Sequence, residues 1–123
     1  MTNKLIGRVI KGKGRGRMLG FPTANIELTQ GQVQEEGVYA VWVIWQGKKY
    51  QGALSIGPAY TFGETKPTVE VFLLNFNQDL YDQTLELELV KKLRPMEKFA
   101  TTQDLAEQIK KDCLEAERIL KYV

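Results

Sequence analysis

The sequence predicts a mainly β domain, a small antiparallel barrel that carries one C-terminal α-helix. Three observations lead there. Short runs rich in Val, Ile, Tyr and Trp recur between glycine-bearing turns, the pattern of antiparallel strands rather than of alternating strands and helices. The run TLELELVKKLR (84–94) alternates Leu85, Leu87 and Leu89 with Glu86 and Glu88, the period of a strand with one wet face. After residue 100 the period changes. Leu105, Ile109, Cys113, Ala116 and Leu120 recur at three- and four-residue steps, a helical stripe.

In chain order, LIGRVIKG (5–12) reads as a strand, because β-branched residues precede a glycine cluster. GVYAVWVIW (37–45) is the strongest strand signal. QGKK turns the chain, and KYQGALSIG (49–57) returns it as a hairpin partner. TVEVFLLNF (68–76) and TLELELVKKLR (84–94) complete the strands, which span about residues 5–95. The helix is expected over about 102–121, with Thr101 and Asp104 as a variant of the capping box. No internal repeat or low-complexity linker interrupts residues 1–123, so one domain is expected.

Composition narrows the chemistry. Hydrophobic residues make up 43% of the chain, enough for a packed core. No run approaches the roughly 18 apolar residues that span a membrane, and the N-terminus lacks a signal-peptide apolar stretch. A soluble, cytoplasmic protein is expected. One cysteine, Cys113, allows neither an internal disulfide nor a cysteine zinc site. Histidine is absent, so a general base would be a carboxylate and a metal would be hard and oxygen-bound. Residues 1–26 hold six positive charges and no acid; the other 97 residues have a net charge of −4. That asymmetry suits a compact anionic ligand better than a nucleic acid. Trp42 and Trp45 are three apart on a strand and face opposite sides. They form no stacking platform for single-stranded nucleic acid.

Four stretches could carry chemistry. GKGRGRMLG (12–20) is a basic glycine loop. It could hold phosphate, grip nucleic acid or form a solvated turn, and it lacks the G-x-x-x-x-G-K-[ST] pattern. In PTAN (22–25), Thr23 and Asn25 lie two apart and face the same way in an extended segment. Their neutral oxygens suit Mg²⁺ once phosphates add negative charge, or they make turn hydrogen bonds. Glu70 interrupts the apolar run Val69–Leu74 and shares parity with Phe72 and Leu74. It either faces solvent or is a carboxylate held as a base. In LRPMEKF (93–99), Arg94 could meet an anion or an aromatic ring. Phe99 could stack or anchor the loop.

In this order the stretches resemble the riboflavin kinase (flavokinase) family. The resemblance rests on GRVIKGKGRGRMLGFPTANI, GVYAV, SIG…TFG…VEVFLLNF, DLYDQTLELELVKKLR and KF before the helix. Its most specific part is the ordered motif Gly12–Asn25. The resemblance implies a six-stranded, Greek-key-like barrel and transfer of the ATP γ-phosphate to the ribityl 5′-hydroxyl of riboflavin, giving FMN and ADP. It implies that Gly12, Lys13, Gly14, Gly16 and Arg17 arch over the phosphates and that Thr23 and Asn25 hold Mg²⁺ and phosphate. Glu70 falls on the catalytic glutamate and Tyr81 on a tyrosine near the nucleotide. Arg94, Met96, Glu97 and Phe99 match the flap over the flavin. Two positions depart from the pattern: Phe72 stands where histidine is frequent, and Met96 occupies an acidic flap position. The implied partners are riboflavin and ATP, with their products FMN and ADP, and no membrane; the alternative is a flavin- or RNA-binding regulatory module on the same barrel without catalysis. A monomer is expected. Bacterial members usually carry an adenylyltransferase domain that makes FAD, for which 123 residues leave no room.

Overall fold

Alternating apolar residues make strands that must bury one face, and here they bury it by closing on themselves. The structure, a computed structural model, describes residues 3–12, 23–31 and 35–122. Six strands form: β1 (Lys4–Ile10), β2 (Thr23–Gln30), β3 (Gly37–Trp45), β4 (Lys48–Pro58), β5 (Pro67–Leu73) and β6 (Thr84–Arg94). A one-turn 3-10 helix (Tyr60–Phe62) lies between β4 and β5, and α1 (Thr102–Leu120) follows β6. The strands close in the order β1-β2-β5-β4-β3-β6, all neighbours antiparallel. β3, β4 and β5 are successive hairpin neighbours and β6 returns beside β3, which is a Greek key. The expected barrel and its helix are therefore present.

Local chemistry sets the boundaries. Gln46 and Gly47 both have positive φ (50° and 75°), as a tight two-residue hairpin turn needs. β5 stops at Leu73, short of the expected run to residue 76, because the chain leaves the extended region at Asn75 (φ 53°). Phe76 instead caps the barrel interior, its ring edge-on to Trp45 and Tyr50 at 5.9 and 4.8 Å. β1 likewise ends at Ile10 rather than Gly12. β2 was legible only as the extended PTAN segment. Its polar residues, Glu27, Thr29 and Gln30, hide the inward alternation of Ala24, Ile26 and Leu28.

The interior holds Leu5, Val9, Ile26, Val41, Leu54, Val71 and Leu87, among others. A second apolar cluster lies outside the barrel wall. Val38, Ala40, Ala53 and Phe72 meet Ile109, Cys113, Ala116 and Leu120 of α1 there. Ala40, Ala53 and Ala116 are fully buried, and their small size lets the helix approach the sheet closely. Thr101 starts the helix: its Oγ1 accepts from the Asp104 N–H at 3.0 Å. β6 carries two irregularities against β3, at Val38/Tyr39 and Ala40/Val41. Val90 keeps the outward parity of Glu86 and Glu88; the irregularities break the alternation beyond it, so Leu93 also packs against the outer cluster. Among the described residues, no helix is long and apolar enough to cross a membrane.

Leu87 is fully enclosed in the barrel. Leu87→Ala should lower the unfolding free energy by about 2–5 kcal/mol, read from urea denaturation. Burial, then the nearby Asp112 charge, pushes the Cys113 thiol from its ordinary 9.0 to about 11. The folded chain keeps a proton that the unfolded chain releases, so this contribution is complete below pH 9 and lost as pH rises through about 11. Wild type should lose stability relative to Cys113→Ala over that window. Parallel urea-midpoint curves would refute the account.

Candidate active site

Opposite residues of an antiparallel ladder project from the same face. One row of this ladder crosses all six strands: Ile10, Asn25, Glu70, Ser55, Val38 and Arg94. Asn25 on β2 stands directly opposite Glu70 on β5, and Glu70 directly opposite Ser55 on β4. The row faces outward, because Ala24, Ile26 and Val71, adjacent in sequence, fill the interior. The next row along β2, β5, β4 and β3 reads Thr23, Phe72, Ala53 and Ala40, and its last three residues seat the helix. A polar row thus runs beside an apolar shelf.

A cleft of about 650 Å³ opens over the polar row. The end of β1, the β4–β5 connection, the segment after β6 and one face of α1 wall it, and Asn25, Ser55 and Glu70 stand on its floor. Glu70 is half-buried. Gly12 meets this floor closely: a Cβ there would lie 1.9 Å from Asn25 Nδ2. Only glycine leaves the Asn25 amide its place. Tyr60 lines the cleft and donates from its hydroxyl to Glu36 Oε1 at 2.8 Å, a bond that pushes the Tyr60 phenol up and keeps it neutral.

The segment after β6 is held at three points. Arg94 clasps Asp112 of α1, Nε to Oδ1 at 2.9 Å and Nη2 to Oδ2 at 2.8 Å. Met96 accepts at Sδ from the Ser55 hydroxyl, 3.6 Å away, and its Cγ would lie 3.0 Å from a Cβ on Gly57. The Phe99 N–H donates to Thr61 Oγ1 at 3.0 Å, and the Arg94 guanidinium lies 5.6 Å from the Phe99 ring centroid.

The structure therefore gathers Gly12, Asn25, Glu70, Arg94, Met96, Glu97 and Phe99 around one cleft. Thr23 shares the outward face of β2 with Asn25 but does not line the cleft. Tyr81 does not line it either; its ring lies 5.6 Å from the Nζ of Lys11, which does. Lys13, Gly14, Gly16 and Arg17 lie outside the described residues. Arg94 has both an aromatic neighbour and an anionic partner, and that partner is the protein's own Asp112. Sequence reasoning missed Ser55, Thr61 and Asp112. Asp112 carried a signal: it falls three residues after Ile109 and four before Ala116, a carboxylate inside the apolar stripe. Among the described residues, no three Cys, Asp or Glu side chains cluster as a metal site.

A closed Greek-key barrel with a polar row beneath a helix-walled cleft defines a barrel domain with a concave site of the kind small ligands occupy. The riboflavin kinase (flavokinase) family profile matches residues 2–120, and the chain belongs to that family. It is 43% identical over 116 residues to the bifunctional riboflavin kinase/FMN adenylyltransferase of Bacillus subtilis (strain 168), covering 91% of this chain and 37% of that protein. It is 37% identical over 109 residues to the RNA-binding riboflavin kinase RibR of the same organism, covering 88% of this chain and 47% of that one. The crystal structure of riboflavin kinase from Trypanosoma brucei superposes with a TM-score of 0.63 at 28% identity, covering 96% of this chain and 79% of that one. The chain spans between about a third and a half of the length of these two curated relatives.

Gly12→Ala should displace the Asn25 amide while leaving the unfolding midpoint near the wild-type value. The Asn25 side-chain amide resonances in a ¹⁵N–¹H spectrum should shift; if they stay in place, the close-contact account is wrong.

Proposed function

We propose that this domain is a riboflavin kinase, transferring the γ-phosphate of ATP to the ribityl 5′-hydroxyl of riboflavin to give FMN and ADP. The observation that carries the reading is the register of β2 on β5, which sets Asn25 opposite Glu70 on the floor of the cleft. Family membership supports the substrates. Phosphoryl transfer asks a protein mainly for positioning and charge compensation. Glu70, half-buried, accepts the proton of the ribityl hydroxyl as general base. Gly12, with Lys13, Gly14, Gly16 and Arg17 of the same glycine-rich segment, holds the phosphates through backbone N–H groups and cationic side chains. Tyr81 stands on the nucleotide side. Arg94, Met96, Glu97 and Phe99 form the cover of the flavin side.

A magnesium ion fits the donor set. Thr23 and Asn25 offer a hydroxyl and an amide carbonyl from one face of β2, hard oxygens suited to that ion. Both are neutral, so the nucleotide phosphates supply the negative charge the ion needs. When bound, Mg²⁺ neutralises charge on the transferring phosphoryl group. In this reading the domain is a soluble, monomeric, cytoplasmic enzyme.

A second reading, contact with RNA, draws on the similarity to the RNA-binding relative and on the basic N-terminal segment. The Arg8 guanidinium is shared between Glu27 and Asp82 at 3.4 and 3.3 Å, which lowers its value as a phosphate contact. An RNA affinity that falls steeply with salt would favour this reading.

Purified protein should convert riboflavin and MgATP to FMN, followed by chromatography of the flavins. Glu70→Gln should slow turnover by about 10²–10⁴-fold with the fold intact. Wild type that forms no FMN refutes the function; an equally fast Glu70→Gln refutes only the base.

A further inference from the structure

We propose that Asp112 of α1 is a positioning residue for the flavin acceptor: it fixes Arg94, and through Arg94 the segment 95–99 that covers the acceptor side of the cleft. The inference rests on the riboflavin kinase reading above.

Asp112 is the buried charged side chain among the described residues, 5% exposed in the apolar cluster between helix and barrel. Both of its oxygens are engaged. Oδ1 accepts from Arg94 Nε at 2.9 Å and from Gln108 Nε2 at 3.0 Å; Oδ2 accepts from Arg94 Nη2 at 2.8 Å. The Gln108 bond is an i,i+4 contact along the helix, which holds the carboxylate facing Arg94. The clasp uses one edge of the guanidinium. Its remaining nitrogen, Nη1, donates to the Pro95 carbonyl at 3.1 Å, and its face lies over the Phe99 ring. One side chain thus sets both the start and the end of the segment 95–99.

Stability alone is a poor reason for this arrangement. A buried ion pair is often matched or bettered by apolar residues of the same volume. The surroundings would accept them, since Ile109 and Leu105 lie one and two helical turns away on the same face and line the same cleft. What an apolar pair cannot supply is a fixed fork geometry. A planar guanidinium held at two points has one orientation, and a flexible ammonium would not. The helix therefore contributes orientation to the cleft as well as a wall.

Steady-state kinetics on the whole chain, varying riboflavin and MgATP separately, test this. Asp112→Asn keeps shape but removes the charge. It should raise the riboflavin KM roughly ten- to hundredfold, the range of a lost charge-assisted hydrogen bond. Its kcat and the KM for MgATP should stay within about twofold of wild type. A merely structural role would lower the active fraction, and so the apparent kcat, without moving the riboflavin KM. Asp112→Glu keeps the charge and the pair, so it folds if Asp112→Asn does not. Its extra methylene displaces the fork, and the riboflavin KM should again rise while the KM for MgATP holds. An active wild type with an unchanged riboflavin KM in the soluble variants overturns the positioning role alone. A wild type that forms no FMN overturns the positioning role together with the kinase reading.

Discussion

The pairing of β2 with β5 is the constraint on which the rest of this molecule depends. Strand side chains alternate with a period of two, so a slip of one residue would turn every side chain of β2 to the other face. Ala24 and Ile26 would leave the interior, and Asn25 would enter it. The burial of Ala24, Ile26 and Val71 inside the barrel forbids that slip. Asn25 and Glu70 therefore meet because their apolar neighbours must be buried. Closure extends the effect around the barrel, since every strand has two partners and no edge is free to adjust. The polar row from Ile10 to Arg94 follows from hydrophobic burial.

The outer shelf and the helix turn that row into a cleft. Ala40 and Ala53 give α1 a flat seat, and Phe72 packs into the same cluster. The irregularities of β6 redirect its last residues, so Leu93 joins Val90 at the helix interface. Arg94 then reaches Asp112 instead of water. The segment that follows is tied to the helix, to Ser55 on β4 and to Thr61 in the β4–β5 connection. Three distant parts of the chain converge on a few residues, and each side of the cleft has its own support.

Much of this was legible in the sequence. Strong β-branched runs, the alternation of β6 and the helical stripe of α1 are local signals, and each became the element expected. The ordered stretch from Gly12 to Asn25 and the lone Glu70 in an apolar run carried the family resemblance, and Gly12, Asn25 and Glu70 line one cleft. Other features were not legible. The end of β5 turns on one backbone conformation at Asn75. β2 ends in polar residues that mask its alternation. Asp112 looks like an ordinary exposed helix carboxylate until the helix docks, although its place in the apolar stripe was a clue.

By itself the sequence determined the runs that became β1, β3, β4, β5, β6 and α1, and which family these motifs resemble. These follow from residue chemistry and short-range periodicity. Only the tertiary structure decided that Asn25 faces Glu70, that Gly12 must lack a side chain, and that Arg94 belongs to Asp112. The reason is physical. Cross-strand register and helix docking are set by burial summed over the whole barrel, and no single stretch of chain contains that sum.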